Sequence, residues 1–389
     1  MAWVLIGFGV LLIVYSYLLY PLCLQLLAAG RRRVAIRSSD EGWPMISITI
    51  PVYNEGPQID DLLQSVLRLD YPAEKRQILV VSDASDDGTD ERVQAYADRG
   101  VELLRMPKRG GKTAAENAAR LLLRGDIVVN TDASIRIHRD ALKPLIAQFA
   151  DPTVGLASGR DVSVTRVEGE LNVGESGYVG YEMWVRKLET AVSGIVGASG
   201  CFYAIRRDLH REVLPDALSR DFAAAMVARQ HGFRAVSVDE AVCFVPRVPS
   251  LRREYRRKVR TITRGMETLY FKRRLLNPFD FGAFSWMLFS HKICRWAAPW
   301  GALIAALGFV LAARSEPLAL VPVLAGLLVC ALAAVGWTWP ESRKPPRLFS
   351  IPAYLIASNI AVMHATIMAL RGDLNAVWEP TRREPAVAK

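Results

Sequence analysis

Carboxylates follow two apolar strands in the middle of this chain, and a third acidic element comes later. The segment Val80–Asp90 begins as a strand and runs into a cluster of aspartates. A second apolar strand, Ile127–Asn130, is followed by Asp132, and Asp221 lies further along. In open α/β sheets, ligands bind beyond the carboxyl ends of the strands. These acidic elements therefore predict a site for a metal ion and a phosphorylated ligand.

Lys112 and Asp132 are the residues whose chemistry is most specific. Lys112 follows two glycines and precedes a predicted helix, and a helix N-terminus beside a lysine favours anions; a solvated surface lysine is the alternative. Asp132 follows a buried strand, where an unpaired carboxylate is costly unless it meets a metal ion or a donor. One carboxylate with ligand phosphates and waters commonly holds Mg²⁺, and Ser134 adds a weak hydroxyl ligand. Asp83 is placed to accept hydrogen bonds from a base or ribose.

The elements that position these residues alternate between strands and helices. Short apolar strands are predicted at residues 46–50, 77–82, 101–105 and 126–130, and helices at 58–69, 91–99 and 113–124. Alternation of this length predicts an α/β fold with a mostly parallel sheet and right-handed crossovers. The five histidines form no cluster with ligand spacing, so they are interpreted as structural.

Apolar segments flank this region on both sides. Ala2–Ala29 carries no charge and exceeds the roughly 20 residues that span a bilayer. A signal peptide is the alternative, but its apolar region would be too long and Arg31–Arg33 follows at once. Three more apolar segments lie near residues 296–313, 318–339 and 349–370.

The formal net charge of +10 is concentrated beside these apolar segments. By the positive-inside rule, the basic flanks and the domain between them are predicted to be cytoplasmic. Because the membrane flanks account for the basic clusters and no nucleic-acid motif appears, no nucleic-acid partner is expected.

Four motifs occur in an order that resembles a known family. They are Pro51–Glu55, Ser82–Thr89, Lys112–Asn117 and Thr131–Ser134. Together they resemble the family 2 glycosyltransferases with a GT-A fold. Within that family the chain is similar to the membrane-embedded branch of cellulose, hyaluronan, chitin-oligomer and poly-N-acetylglucosamine synthases. The resemblance extends from Pro51 to about Arg264.

The resemblance implies roles for the donor side of the site. The residues that would line the nucleotide are Pro51, Tyr53, Glu55, Asp83 and Lys112. Asp132 would bind Mg²⁺ or Mn²⁺ on the diphosphate, with Ser134 beside it. Family members often have D-x-D where this chain has Asp132-Ala133-Ser134, so the predicted metal site has fewer charges.

The resemblance also implies roles on the acceptor side. Ser199 and Gly200 match the acceptor-side loop, and Asp221 matches the catalytic base. Arg257 and Arg260 lie where the family has Q-x-x-R-W, so Arg260 would meet the diphosphate. In processive synthases the tryptophan of that sequence helps to hold the acceptor, and Thr261 replaces it here.

The resemblance and the apolar segments together predict an organisation for the chain. It comprises a transmembrane helix at 1–30, a basic linker at 31–44, a cytoplasmic GT-A domain at 45–254, basic amphipathic interfacial helices at 255–295, a transmembrane region of about three segments at 296–371 and a tail at 372–389. For Phe281–Trp300 the alternative is the start of a long membrane span. The expected location is the inner (plasma) membrane, as a multi-pass protein with a cytoplasmic catalytic domain.

The predicted function is that of an inverting, metal-dependent glycosyltransferase that uses a UDP-sugar. Its acceptor would be a growing polysaccharide or a glycolipid, and the lipid bilayer and cell-envelope assembly proteins are its expected partners. The change at Thr261 slightly favours an alternative, the transfer of one sugar to a polyprenyl phosphate or another lipid. A third alternative is a catalytically silent membrane protein that binds sugar nucleotides.

Overall fold

The computed structural model describes residues 1–30, 42–164, 173–246, 250–340, 343 and 345–373, with the backbone alone for residues 173–178. The predicted basic linker lies outside these residues except for positions 42–44. The predicted tail also lies outside them except for positions 372 and 373.

A single eight-stranded sheet forms the centre of the described chain. Its strands are Ile46–Val52 (β1), Arg76–Ser82 (β2), Val101–Arg105 (β3), Ile127–Thr131 (β4), Arg136–Ile137 (β5), Val154–Val164 (β6), Phe202–Arg206 (β7) and Arg234–Pro246 (β8). The order is β3-β2-β1-β4-β7-β6-β8-β5. The strands β1 to β4 pair in parallel, whereas β7 is antiparallel to both β4 and β6. Strands β6 and β8 are again parallel, whereas β5 is antiparallel to β8. The sheet is therefore mixed, with four parallel and three antiparallel pairs.

Helices cover the sheet and extend from it. In chain order they are Ala2–Val14 (α1), Tyr20–Ala28 (α2), Ile59–Leu67 (α3), Thr89–Gln94 (α4), Lys112–Ala119 (α5), Leu142–Ala147 (α6), Val173–Val192 (α7), Arg207–His210 (α8), Arg220–Gln230 (α9), Leu251–Phe271 (α10), Pro278–Phe281 (α11), Ala283–Leu288 (α12), Arg295–Ala312 (α13), Leu320–Thr338 (α14) and Arg347–Arg371 (α15). Turns of π-helix at Tyr15–Leu19 and Phe289–Cys294 join α1 to α2 and α12 to α13.

Apolar side chains on both faces of the sheet fix the strand ends that carry the site. Alternate residues of β2 enter two separate cores, with Ile78 and Val80 on one face and Leu79 and Val81 on the other. Burying each such aliphatic side chain contributes about 1.5–3 kcal/mol. Helices α3 and α6 cover the first face, and α5 and α9 cover the second. This sandwich holds the carboxyl ends of β2 and β4 rigidly on either side of β1, their common neighbour.

Four helical runs are long and apolar enough to cross a membrane within the described residues. They are Ala2–Ala28, Ala283–Ala312, Pro317–Thr338 and Arg347–Arg371. Most of the α14 surface is exposed, and Leu324, Leu327 and Leu328 are each 61% exposed. Contiguous apolar surface of this kind is unfavourable in water and indicates a membrane or protein partner. The second run begins at Ala283, so the apolar helix extends into the segment predicted as interfacial.

The basic helix α10 is held against α15. The Lys258 ammonium donates to the Tyr354 hydroxyl at 2.9 Å and to the Ser358 hydroxyl at 2.6 Å. The same ammonium lies 4.0 Å from the centroid of the Tyr354 ring. These contacts fix one face of α10 against α15.

Close packing of α1 on α13 makes Gly9 a test of this architecture. A Cβ atom on Gly9 would lie 2.8 Å from the Ala305 backbone nitrogen, so the helices would have to separate. We expect Gly9→Ala to lower the unfolding free energy by about 1–3 kcal/mol and to lower the midpoint of thermal unfolding in detergent.

Gly7→Ala is the matched control for that measurement, because a Cβ atom on Gly7 meets no described atom within 4 Å. It should unfold at or above the wild-type temperature, since alanine favours helix over glycine. Equal midpoints for the two variants would contradict the α1–α13 contact.

Candidate functional site

One cavity of about 460 Å³ lies between the carboxyl end of β4, helix α10 and the apolar helices. Seven of the residues predicted for the site line it: Lys112, Asp132, Ser134, Gly200, Asp221, Arg257 and Arg260. The cavity wall also includes Tyr17, Trp296 and Val362, which belong to three of the apolar helical runs. A polar site and potential membrane helices therefore share one cavity.

Lys112 connects the residues at the polar end of the cavity, near Asp132 and Gly200. It is the first residue of α5, and its ammonium lies 2.6 Å from Asp132 Oδ1 and donates to the Gly200 carbonyl at 2.9 Å. Burial by itself lowers the pKa of this ammonium, but the nearby carboxylates, chiefly that of Asp132, outweigh burial and raise the pKa well above its usual range. Lys112 therefore remains a cation, and it ties the end of β4 to the loop before β7.

Asp221 lies at the start of α9 and faces the same cavity. Its Oδ1 atom accepts from the Ser219 hydroxyl at 2.5 Å and from the Phe222 backbone N–H at 2.8 Å. Burial by itself raises the pKa of this carboxyl, but Lys112 and the two hydrogen bonds outweigh it and lower the pKa below its usual range. Asp221 is therefore an ionised, oriented carboxylate at neutral pH.

The acceptor-side loop approaches Asp221 so closely that a side chain at position 200 would have to displace its carboxylate. A Cβ atom on Gly200 would collide with Asp221 Oδ2. Ser199, the other predicted residue of this loop, turns its hydroxyl to Asp161 Oδ1 at 2.6 Å and is 1% exposed. The structure thus brings Gly200 to the cavity, whereas the Ser199 side chain holds the loop against β6.

Helix α10 presents a row of arginines to the cavity. Arg257 makes a two-pronged ion pair with Glu254, with N–O distances of 2.7 and 2.8 Å, and Arg260 lines the cavity one turn later. Arg264, which sequence reasoning missed, also lines it and donates to the Leu218 carbonyl at 2.6 Å. Its spacing of four residues from Arg260 places the two on one face of a helix, so the periodicity could have identified it.

The remaining predicted residues lie on neighbouring strand ends, outside the lining of this cavity. Asp83 is buried, and its two carboxylate oxygens accept from the backbone N–H groups of Gly110 and Gly111 at 2.7 and 2.8 Å. The Arg109 guanidinium lies 3.9 Å from the centroid of the Tyr53 ring. One face of the Tyr53 ring, which is predicted to line the nucleotide, is therefore covered by a cation in this structure.

Pro51 and Glu55 flank this second group. Pro51 lies within β1, opposite Val81 of β2. Glu55 is 5% exposed, and burial raises the pKa of its carboxyl. Its backbone N–H donates to the Thr89 hydroxyl at 2.9 Å. Both residues shape the loop that carries Tyr53.

Asp132 and Ser134 offer oxygen atoms of the type that Mg²⁺ and Mn²⁺ prefer. No group of three or more histidine, cysteine, aspartate or glutamate residues in the described part of the chain could hold a metal ion by itself. One carboxylate and one hydroxyl facing a shared cavity do fit an ion whose other ligands are diphosphate oxygens and waters. Within the described part of the chain, an ion at Asp132 and Ser134 would therefore need further ligands, such as the oxygen atoms of a diphosphate and waters.

The end of the cavity beside the apolar helices contains charged residues that sequence reasoning did not identify. They are Arg186, His291, Lys292 and Arg295. The interpretation of His291 as purely structural misses its place in the cavity wall, where its ring nitrogens lie 2.5 Å from Glu189 and 2.9 Å from Glu182. Pairing between α7 and the helices around His291 depends on tertiary packing, so no local spacing in the sequence indicated it.

Comparison with known proteins agrees with this geometry. Residues 47–214 match the model of glycosyl transferase family 2. An N-acetylglucosaminyltransferase of Mesorhizobium japonicum is 33% identical over 168 residues, which are 42% of this chain and 38% of the relative. An N-acetylglucosaminyltransferase of Bradyrhizobium elkanii is 32% identical over 130 residues, which are 32% of this chain and 70% of the relative.

A solved structure supports the fold over nearly the whole chain. The mannosyltransferase PcManGT from Pyrobaculum calidifontis, in complex with GDP-Man and Mn²⁺, superposes with a TM-score of 0.70 and 24% identity. The match covers 94% of this chain and 99% of that one. By contrast, the chain spans well under half of the Mesorhizobium relative. The matched family model, the relatives and the GT-A sheet together show that the chain belongs to glycosyl transferase family 2.

Proposed function

We propose that this chain is an inverting, metal-dependent membrane glycosyltransferase that moves a sugar from a UDP-sugar to a polysaccharide or glycolipid acceptor. The observation that carries the proposal is the single cavity that joins Lys112, Asp132 and Asp221 to the apolar helices. It places an anion site and an ionised carboxylate within reach of a ligand that comes from a membrane.

The donor diphosphate would lie at the polar end of the cavity. Asp132 and Ser134 would hold Mg²⁺ or Mn²⁺, which neutralises charge on a departing diphosphate. Lys112 and Arg260 are cations that line the same cavity. Fixed cations that face a developing charge stabilise the transition state. The names of the relatives, and the Mn²⁺ bound together with GDP-Man in the mannosyltransferase, support this proposal.

Asp221 would remove the proton of the attacking hydroxyl. A carboxylate can act as general base when it lies within hydrogen-bond reach of that proton. Its lowered pKa keeps it ionised at neutral pH. Both local hydrogen bonds are accepted by Oδ1, so Oδ2, which lies beside Gly200, is the oxygen that would take the proton. One base and one displacement invert the anomeric configuration.

The acceptor is proposed to reach the cavity from the membrane side. Tyr17, Trp296 and Val362 bring three apolar helical runs into its wall. The catalytic domain would then lie on the cytoplasmic face of the inner membrane. The same geometry supports the second candidate, transfer of one sugar to a polyprenyl phosphate or another lipid, because a lipid tail fits beside these helices.

Product analysis tests the proposal directly. Membranes that contain the full chain would receive Mg²⁺ or Mn²⁺ and a panel of labelled UDP-sugars, with GDP-mannose included. Incorporation of one label into a ladder on a gel would indicate a polymerase, and one lipid-soluble band would indicate a single transfer. Nucleotide binding without incorporation from any donor would contradict the transferase and favour a silent sugar-nucleotide-binding protein.

The pH profile should report the contact between Lys112 and Asp221. Lys112 is the largest of the effects that lower the pKa of Asp221, and burial opposes it. In Lys112→Met burial remains and the cation is gone, so the pKa of Asp221 rises. The acid limb of kcat/KM, which follows ionisation of the base, should therefore move to higher pH than in the wild type.

Ser219→Ala provides a second variant for the same profile. It removes one hydrogen bond that lowers the pKa of Asp221, so the limb should move in the same direction. The position of the limb is the readout, because the maximum rate also falls when Lys112 leaves the donor site. An unchanged limb in both variants would show that Asp221 is not the titrating base.

A further inference from the structure

Two cations in the cavity wall have no task in the proposed transfer. Lys292 is in the π-helical turn before α13, and its ammonium lies 5.0 Å from the centroid of the Phe222 ring. No described carboxylate forms an ion pair with it. Arg186, on α7, is the second, with a side chain that is 11% exposed.

Arg186 is only partly satisfied by its neighbours. Its Nη2 atom donates to the Ala198 carbonyl at 3.4 Å, and its Nε atom lies 3.7 Å from Glu182 Oε1. Its Nη1 atom is buried and has no hydrogen-bond partner among the described residues. A buried donor without a partner costs free energy, and a ligand that accepts from it would recover that cost.

The neighbouring carboxylates are already engaged elsewhere. Glu189 Oε1 accepts from the Tyr20 hydroxyl at 2.5 Å and lies 2.5 Å from His291 Nδ1. Glu182 lies 2.9 Å from His291 and 2.7 Å from Arg295. These contacts fix the turn that carries Lys292 and leave an excess of positive charge at this end of the cavity.

This positive end is distinct from the donor end. The Lys112 ammonium contacts Asp132 and Gly200, whereas Lys292 lies beside Phe222 and its Cε atom is 3.8 Å from a Cβ placed on Gly197. Asp221 adjoins both sets of contacts, because its Oδ2 atom approaches Gly200, which Lys112 contacts, and it precedes Phe222, which Lys292 contacts. An anion bound by Lys292 and Arg186 would therefore lie on the acceptor side of the proposed base.

The walls indicate what kind of molecule carries that anion. Tyr17, Trp296 and Val362 line the same cavity from apolar helices, and such surface favours an acyl or prenyl chain over a soluble anion. Arginine and lysine are the usual partners of phosphate groups. A ligand with a phosphate head and an apolar tail satisfies both features.

We propose that Lys292 and Arg186 bind the phosphate of a lipid acceptor, with the lipid tail between the apolar helices and the acceptor end at Asp221. The acceptor role in this inference rests on the proposed function. The binding site for a lipid phosphate rests only on the residues that line the cavity. The anion site makes a neutral lipid, such as a diacylglycerol, a poor ligand.

Binding measurements on the full chain in detergent test the site without turnover. Farnesyl phosphate is the probe, farnesol is the matched neutral lipid and inorganic phosphate is the matched free anion. Farnesyl phosphate should bind more tightly than either. Lys292→Gln should weaken its binding about tenfold or more, the effect of losing one charge-assisted contact, and Lys292→Arg should keep most of the affinity.

Arg274→Gln is the control for general electrostatic attraction, because Arg274 is a 79% exposed cation whose partner is Asp280. Equal losses in Lys292→Gln and Arg274→Gln would overturn the site. Equal binding of farnesyl phosphate and farnesol would show that the site does not recognise the phosphate. Equal binding of farnesyl phosphate and inorganic phosphate would show that it does not recognise the lipid tail. Either result would overturn the proposal.

A second arm tests the acceptor role with the donor identified by product analysis. Farnesyl phosphate should compete with the acceptor in membrane extracts and should not compete with the donor. Binding without such competition would overturn the acceptor role. If no donor supports any transfer while Lys292-dependent binding persists, the proposed function fails and the phosphate–lipid site stands.

Discussion

Asp221→Asn should abolish most sugar transfer. A general base contributes about 10²–10⁴-fold to such a reaction, and we expect a loss of that order in the initial rate at saturating donor. Asparagine keeps the Oδ1 atom that accepts from Ser219 and Phe222, so the start of α9 should keep its conformation. The variant loses the negatively charged Oδ2 atom, which lies beside Gly200 and can accept a proton.

The loss should appear in the rate and not in donor binding. Because Asp221 is not among the residues proposed to hold the nucleotide or the metal ion, the affinity for UDP measured by calorimetry should remain close to that of the wild type. Asp208→Asn is the matched control, since the Asp208 side chain is 89% exposed, and it should retain full activity. If a folded Asp221→Asn protein turned over at the wild-type rate, Asp221 would not be the general base.

Local sequence signals predicted the catalytic half of the fold. Apolar strands, helix-capping glycines and carboxylates at strand ends are short-range features, so β1 to β4 and the positions of Asp83 and Asp132 followed from them. The family fold was confirmed, and the ordered motifs identified it. Lys112, Asp132 and Asp221 converge because β4 ends, and α5 and α9 begin, at the same edge of the sheet, where ligands bind in open α/β folds.

The membrane-side half of the cavity was not predictable in the same way. Arg186 is on α7, far in sequence from Lys292 and Arg295, which are close together in one helical run. Each of the three taken alone looks like a solvated basic residue. Their proximity depends on side-chain pairs that join α7 to the helical run around His291, and a π-helical turn at Phe289–Cys294 shifts the register there. A helical wheel assumes a constant 3.6-residue period, so it places residues after such a turn on the wrong face.

The second half of the sheet was also not predictable from local sequence signals. Strand β7 enters between β4 and β6 in the antiparallel sense, and its burial on both faces gives an apolar run with no sign of direction. Ser199 illustrates the consequence at one residue. Its place in a motif predicted a ligand contact, whereas its hydroxyl holds Asp161, because the loop before β7 has to be anchored against β6.

Asp132→Ala should remove the metal dependence along with donor turnover. It deletes the carboxylate proposed to hold Mg²⁺ or Mn²⁺ and leaves the Lys112 ammonium without its 2.6 Å partner. Losing one preorganised electrostatic contact to a departing group costs about 10²–10³-fold, and the loss of the ion adds to that. We expect the rate to fall at least this far and to become insensitive to added Mn²⁺.

Mn²⁺ binding in the presence of UDP, followed by electron paramagnetic resonance, separates a lost ion from a disturbed fold. Asp132→Ala should bind Mn²⁺ more weakly than the wild type. Asp140→Ala, whose side chain is 69% exposed on the same loop region, should bind it normally. Unchanged Mn²⁺ binding in Asp132→Ala would show that Asp132 does not hold the ion.

Ser134→Asp makes the opposite prediction at the same site. It places a second carboxylate in the cavity, two residues after Asp132, and divalent ions prefer charged oxygen ligands. Mn²⁺ should therefore bind more tightly in Ser134→Asp than in the wild type. Because one variant removes a carboxylate and the other adds one, a general change in stability cannot produce both shifts. Opposite shifts in affinity at one strand end would locate the ion between Asp132 and position 134.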